Sequence, residues 1–193
     1  RFGIYLSFIC IMEKVPKPLT RILPLWIEVW LVMSAVICFL DVMFTMLRPH
    51  TTEGFLSSLY LPWNLYASVD VRYADEKDVV TCGTGRVMLI EIVMNLIAVV
   101  MSRRLSRHAL LTAFTTSAFV FWKTFWFLTL YVLPPAGSRS YFNDNSTYLD
   151  ILLIFWIPNG FWVVMPFLVM KSLWNKLALP VNQQYHYSTV NTA

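Results

Sequence analysis

Four polar side chains stand within long stretches of sequence that are otherwise apolar: Asp41, Glu91, Lys123 and Asn159. An ionisable group at the centre of a membrane span costs at least about 2.5 kcal/mol, so its presence there indicates a function. Counted from the shared ends of these stretches at about 1.5 Å per helical residue, all four groups lie roughly 9–15 Å deep. We therefore expect the four side chains to meet in one layer.

Neighbouring residues at helical spacing extend this layer. Asn95 follows Glu91 by four residues, so both lie on one helical face. Trp162 follows Asn159 by three residues and faces the same way. The predicted catalytic residues are Glu91, Asp41, Asn159 and Trp162, and the predicted ligand-binding residues are Asn95, Thr116, Lys123 and Trp126.

The layer has two interpretations, which stay open at this point. In the structural one, Asp41 or Glu91 pairs with Lys123, and Asn159 joins helices by hydrogen bonding. In the functional one, the same groups line a lipid-accessible pocket. A carboxylic acid kept neutral there can protonate an alkene, and an aromatic face and an amide oxygen can stabilise the cation that forms. The same pocket suits a cationic amphiphile, because a carboxylate pairs with an amine while Trp162 faces it.

Composition excludes an ordinary soluble domain. The 193-residue chain is 58% hydrophobic and 13% charged, whereas soluble domains are about 45–50% apolar and about 25% charged. The net charge of +4 is not gathered into a run of like charges, so a nucleic-acid partner is not expected. Cys10, Cys38 and Cys82 are too scattered for a zinc site or a disulfide framework. We expect no metal and no cofactor.

Four apolar stretches are long enough, or nearly so, to span a bilayer, which takes about 20 helical residues. They predict an all-α, polytopic membrane helix bundle. The earlier run Phe2–Met12 is too short to span and is interpreted either as the end of a trimmed helix or as a trimmed signal anchor. The four predicted transmembrane helices are Leu25–Leu47, Thr84–Met101, Ala109–Leu133 and Leu149–Trp174.

Basic residues predict the orientation, because short cytoplasmic segments are enriched in Lys and Arg. The residues before the first span, between the second and third, and after the fourth would all be cytoplasmic. The basic residues in these segments are Lys14, Lys17, Arg21, Arg103, Arg104, Arg107, Lys171 and Lys176.

The predicted domain organisation follows from these spans. Residues 1–23 are an N-terminal remnant and cytoplasmic linker, 24–178 form the transmembrane domain with a luminal loop at 48–83, and 179–193 form a disordered cytoplasmic tail. The luminal sequon at Asn145 lies close to the fourth span, so we expect it to be unmodified.

Two parts of the luminal loop carry further expectations. Its aromatic stretch, Phe55–Tyr66, predicts a helix that lies at the membrane interface or folds over the mouth of the bundle. The mixed-charge patch Asp70–Asp78 predicts a solvated loop.

Short motifs occur in a fixed order over most of the chain. They are Phe55-Leu56-Ser57, then Asp70-Val71-Arg72-Tyr73, Leu89-Ile90-Glu91, Phe127-Leu128-Thr129, and the Asn-x-x-Trp-x-x-x-Pro pattern within Ile157–Pro166. In this order they resemble the emopamil-binding protein family, whose members share the EXPERA domain. The resemblance implies a multi-pass protein of the endoplasmic reticulum membrane that handles sterols or related lipids.

The resemblance also implies roles for site residues. It places Glu91, Asn159 and Trp162 around a sterol. The function implied first is that of a sterol Δ8–Δ7 isomerase, which shifts a ring double bond. Glu91 or Asp41 would donate and accept the proton, while Asn159 and Trp162 would stabilise the cation.

Two positions depart from the isomerase pattern and keep an alternative open. Ile37 stands where the isomerase has a histidine, and Lys123 stands where it has an acidic residue. Both departures favour a non-catalytic sterol-binding, lipid-binding or trafficking protein, as in the sigma-2 receptor branch. The predicted partners are a sterol or other lipid-like ligand and cationic amphiphiles, and a homodimer stays open.

Overall fold

The computed structural model describes residues 20–178, apart from residues 133, 135, 138 and 139. Within this part of the chain the protein is all-helical, as predicted, and contains no β-strand. The predicted disordered tail and all but the last four residues of the predicted N-terminal remnant lie outside the described residues.

Seven α-helices and one π-helical turn make up the described fold. They are α1 (Leu25–Met46), α2 (Leu61–Val69), α3 (Val71–Ala74), α4 (Val79–Arg103), α5 (His108–Val132), α6 (Tyr148–Asp150), the π-helical turn Ile151–Trp156 and α7 (Ile157–Leu177).

Three helical segments are long and apolar enough to cross a membrane: α1, α4 and the continuous segment Tyr148–Leu177. Length and composition thus confirm three of the four predicted spanning helices. The helix α5 also has 25 residues, but its threonines, tryptophans and Lys123 lower its hydropathy. The helix α4 begins five residues before the predicted Thr84, because the carboxylate of Asp78 accepts a hydrogen bond from the Thr81 backbone N–H at 2.8 Å and caps it.

The long helices pack side by side in the order α1, α4, α5, α7. At one end of the bundle α1 and α7 also meet, in an apolar cluster that includes Leu23 and Leu173. Glu28 is buried at this end and accepts a hydrogen bond from Ser102 Oγ at 2.6 Å. Its other oxygen lies 2.6 Å from Arg103 Nη2, an ion pair by distance whose orientation is not that of a hydrogen bond.

The segment between α1 and α4 folds over the opposite end, which we name the cap end. Phe44 of α1 stacks on Tyr73 of α3 with the ring centroids 5.2 Å apart. Arg48 Nη1 donates to the carbonyl oxygens of Tyr73 at 2.8 Å and Asp75 at 2.6 Å. These contacts tie α3 to the end of α1 and support the interpretation of this segment as a cover over the bundle mouth.

Asp70 corrects the interpretation of the mixed-charge patch as a solvated loop. Its side chain is buried, with the residue only 1% exposed. Both carboxylate oxygens accept from the Tyr131 hydroxyl at 2.9 Å, and Oδ1 also accepts from the Arg72 backbone N–H. The carboxylate is buried because it joins α3 to α5, a contact that local sequence does not reveal.

The last long helix is not uniformly α-helical. Its π-helical turn, Ile151–Trp156, ends two residues before Pro158, which lacks a backbone N–H and therefore cannot complete a regular hydrogen bond to the preceding turn. Such turns widen a helix locally and occur often at functional sites. The irregular turn therefore lies where Pro158 removes a backbone donor.

Candidate functional site

A cavity of about 430 Å³ lies at the cap end between α1, α4, α5 and α7, with α2 as its cover. This volume falls within the range of roughly 300–1,000 Å³ typical of ligand pockets. Most of its wall is apolar or aromatic. The polar and aromatic side chains on its wall include Cys38, Asp41, Trp63, Tyr66, Tyr73, Lys123, Phe127, Asn159 and Trp162.

Asp41 is the one carboxylic acid among the described residues that line this cavity. Trp63 of α2 donates its indole N–H to Asp41 Oδ1 at 3.0 Å, and the hydroxyl of Tyr73 donates to the same oxygen. Oδ2 has no protein donor among the described residues. The cover therefore orients the carboxylate through one oxygen and leaves the other for a ligand.

Lys123 also lines the cavity, and it forms an ion pair with Glu91. Lys123 Nζ donates to Glu91 Oε2 at 2.8 Å, and the Glu91 side chain is only 1% exposed. Glu91 lies between α4 and α5 and does not belong to the cavity wall. Lys123 neutralises the charge of Glu91. This buried ion pair is costly to break, because one charge would remain unpaired.

Asn159 and Trp162 occupy the α7 side of the cavity. The amide nitrogen of Asn159 donates to the Tyr66 hydroxyl at 3.0 Å and to the Phe155 carbonyl at 2.8 Å. Both amide hydrogens are thus used, and the amide oxygen keeps its capacity to accept. Trp162 packs against Trp30 of α1 with the ring centroids 5.2 Å apart, at the inner end of the cavity.

Three of the predicted ligand-binding residues lie away from the cavity wall. Thr116 Oγ1 donates to Asn95 Oδ1 at 2.9 Å, and Asn95 Nδ2 donates to Ser34 Oγ at 3.3 Å, all of them buried. This network joins α1, α4 and α5 by hydrogen bonds. Trp126 is 49% exposed on the outside of α5. A ligand-binding role for these residues stays a prediction.

The structure therefore brings Asp41, Lys123, Asn159 and Trp162 to one cavity, as the layer argument predicts. Glu91 is connected to it through Lys123 alone. The cavity and the buried ion pair coexist in the structure. Asp41 and Lys123 line the cavity of the functional interpretation, and Lys123 also forms the ion pair of the structural one.

Sequence reasoning missed the aromatic hydrogen-bonding residues of the cover. Trp63, Tyr66 and Tyr73 all bear on the predicted site residues, and Tyr73 belongs to the Asp-x-Arg-Tyr motif. The signal was present in the aromatic stretch and in that motif. The role of these aromatic residues depends on the path of the loop. The loop brings Trp63 and Tyr73, which are 22 and 32 positions away in the sequence, into contact with Asp41.

A second group of contacts, around Asp70 and Arg72, holds the cover in place. Burial raises the pKa of Asp70 to about 7, although its hydrogen bonds from Tyr131 and Arg72 act the other way. The guanidinium of Arg72 forms an ion pair with Asp78 at 3.0 Å and lies 4.3 Å from the centre of the Tyr141 ring. Asp70, the N-cap of α3, and Arg72, within α3, thus anchor this helix.

No group of three or more metal-ligating side chains occurs among the described residues. The geometry defines an apolar, aromatic chamber with one oriented carboxylate, one amide and a neutralised lysine–glutamate pair. No family model, curated protein or solved structure matches this chain.

Proposed function

We propose that this protein binds a sterol or a similar amphiphilic lipid inside the membrane, and that Asp41 anchors the polar or cationic group of the ligand. One observation carries this proposal. Asp41 lines an apolar cavity, and its Oδ2 accepts no hydrogen bond from the residues that the structure describes, whereas Glu91 lies outside that cavity and is neutralised by Lys123.

The walls fit such a ligand. The aromatic rings of Trp63, Tyr66 and Trp162 give flat apolar surfaces to a rigid hydrocarbon skeleton. A tertiary amine near Asp41 would gain both a charge pair and contact with an aromatic face. The cavity volume accommodates one ligand of drug or sterol size.

Two probes test this proposal on the purified protein in detergent. A photoreactive sterol is expected to cross-link to residues of the cavity wall, and a labelled tertiary-amine amphiphile is expected to compete with it. Asp41→Asn should weaken amine binding, because the amide cannot pair with a cation, while Asp144→Asn in an exposed turn serves as the matched control. Cross-links on the outer helix faces alone would contradict the proposal.

A second candidate is favoured by the presence of Asp41, Asn159 and Trp162 around one cavity. In a double-bond isomerase, protonated Asp41 would donate its proton to an alkene carbon. The carbocation would be stabilised by the Trp162 ring and the Asn159 amide oxygen, and the resulting Asp41 carboxylate would take up the neighbouring proton.

Complementation separates the two candidates. Cells that lack a sterol Δ8–Δ7 isomerase should regain the Δ7 sterol if the chain is an isomerase, and Asp41→Asn should abolish that rescue. Absence of rescue by a wild-type protein that still cross-links the sterol supports the binding function. The predicted catalytic role of Glu91 is tested in the same cells with Glu91→Gln.

The finer features of topology belong to this proposal as well. We propose four membrane-spanning helices, with α5 as the fourth, in the endoplasmic reticulum membrane and with the C-terminus in the cytoplasm. Their support is the motif resemblance together with the Arg and Lys residues at the end of the bundle opposite the cap end. Sequential packing of α5 between α4 and α7 also favours its crossing with them.

A further inference from the structure

Lys123 is a buried nucleophile that the proposed function does not use. It lies in the middle of α5, and its side chain is 15% exposed. The exposed part faces the cavity that Lys123 helps to line. Its Nζ has one anionic hydrogen-bond partner, Glu91 Oε2. An ammonium group has three donors, so the face of Lys123 toward the cavity keeps the capacity to react or bind.

Glu91 is placed as the counterion of that nitrogen and of nothing else. Its side chain is 1% exposed, and its second oxygen, Oε1, has no hydrogen-bond partner among the described residues. The carboxylate thus lies on the far side of Lys123 from the cavity. It can accept a proton from the amine without occupying the space that a ligand needs.

A buried lysine with a fixed carboxylate partner and an apolar chamber is the arrangement that a protonated imine requires. Lysine amines form such Schiff bases with carbonyl compounds. The nitrogen remains positively charged after the reaction, so the ion pair with Glu91 is kept rather than lost. The surrounding rings of Phe127 and Trp162 and the side chain of Met88 would hold a hydrophobic tail and exclude water that hydrolyses the imine.

We propose that Lys123 forms a Schiff base with a lipid aldehyde bound in the cavity, with Glu91 as its counterion. The Lys123 ammonium passes one proton to Glu91, and the neutral amine attacks the aldehyde carbon. The C–N bond forms, the nitrogen regains one proton from Glu91 and gives two to the carbonyl oxygen, the oxygen leaves as water, and a protonated imine remains. The aldehyde and the ammonium are converted to the iminium ion and one water, so no oxidant or reductant is needed.

All-trans-retinal is a suitable probe, because it is a long apolar aldehyde whose absorbance reports imine protonation. The full chain in detergent is incubated with substoichiometric retinal, reduced with borohydride and mapped by mass spectrometry over every lysine. The expected result is a fixed adduct at Lys123 and a red-shifted absorbance before reduction. Glu91→Gln should lose the red shift, because the protonated imine loses its counterion.

Matched variants distinguish the cavity from the surface. Lys123→Arg keeps the positive charge opposite Glu91 but cannot form an imine, so the adduct should disappear. Exposed Lys77→Arg and Lys171→Arg should leave it unchanged. Adducts confined to exposed lysines of the wild-type protein would overturn the proposal, and this outcome does not depend on any variant folding correctly.

The test is separate from that of the proposed function, although both use one cavity. Sterol cross-linking without an adduct at Lys123 overturns the imine and leaves lipid binding intact. An adduct at Lys123 without sterol cross-linking overturns the sterol ligand and leaves the imine intact.

Discussion

At the scale of single residues, Asp70 is the side chain whose protonation most directly affects the cover. Its pKa is raised to about 7 from an ordinary 3.8 by burial. Between these two values the folded protein retains a proton that the unfolded chain has released. The stabilisation by Asp70 is therefore complete below the unfolded value and is lost as the pH rises through the folded value.

This linkage predicts a pH-dependent stability. The unfolding temperature in detergent should fall, through Asp70, as the pH is raised from about 4 to about 7. Asp70→Asn should remove this component, since its amide does not titrate. The difference between wild type and variant isolates Asp70 from other groups. Equal pH slopes in both proteins, measured by thermal unfolding, would show that Asp70 is already ionised throughout this range.

The ion pair of Glu91 and Lys123 gives a second prediction at this scale. Removing one partner of a buried pair leaves an uncompensated charge and costs about 3–5 kcal/mol. We expect Glu91→Gln and Lys123→Met each to destabilise the protein by this order. The double variant should lose much less than the sum, because no isolated charge remains.

Equilibrium unfolding in mixed detergent measures this cycle. Asn95→Ala and Thr116→Ala, in the neighbouring buried network, form a comparison cycle of neutral groups in which the coupling should be smaller. Additive effects of the two charged-pair substitutions would mean that the pair is not formed in the membrane protein.

At the scale of elements, the spanning helices were predictable and the turn inside the last one was not. Apolar runs of spanning length predict helices whatever their neighbours, because backbone groups in lipid must bond internally. The π-helical turn Ile151–Trp156 lies next to Pro158, and the nearby Phe155 and Asn159 both contact Tyr66 of α2, a tertiary contact. The cover was missed for the same reason, since Trp63 and Asp41 are paired only by tertiary folding.

Pro158 allows this element to be tested. Pro158→Ala restores a backbone N–H at the end of the π-helical turn and favours a regular α-helix. Regularisation would rotate Asn159 away from Tyr66, so sterol cross-linking should fall while thermal stability is maintained or raised. Pro166→Ala, in the same helix but off the cavity wall, is the control. Unchanged cross-linking in Pro158→Ala would show that the turn does not shape the site.

At the scale of the whole molecule, α5 is the helix on which the proposed membrane topology depends. The helix α5 contributes Lys123 to the cavity. This lysine and the threonines of α5 lower the hydropathy of the helix below that of the other long helices. The polar residues of α5, among them Lys123 on the cavity wall, therefore weaken the signal by which a spanning helix is recognised. A polar helix of this kind is stabilised in a bilayer by placing its polar face inside the bundle.

The crossing of α5 is tested by labelling single cysteines on either side of it. Position 106 lies just before α5, and position 144 lies in the exposed segment after it, so Ser106→Cys and Asp144→Cys are each made in a background with Cys10→Ser, Cys38→Ser and Cys82→Ser. In sealed vesicles a membrane-impermeant maleimide should reach only one of the two from outside, and permeabilisation should expose the other. Glu53→Cys should behave like Asp144→Cys, since α4 and α5 cross in opposite directions. If the Ser106 and Asp144 variants react from the same side, α5 does not cross, and the cavity opens to water rather than to lipid at Lys123.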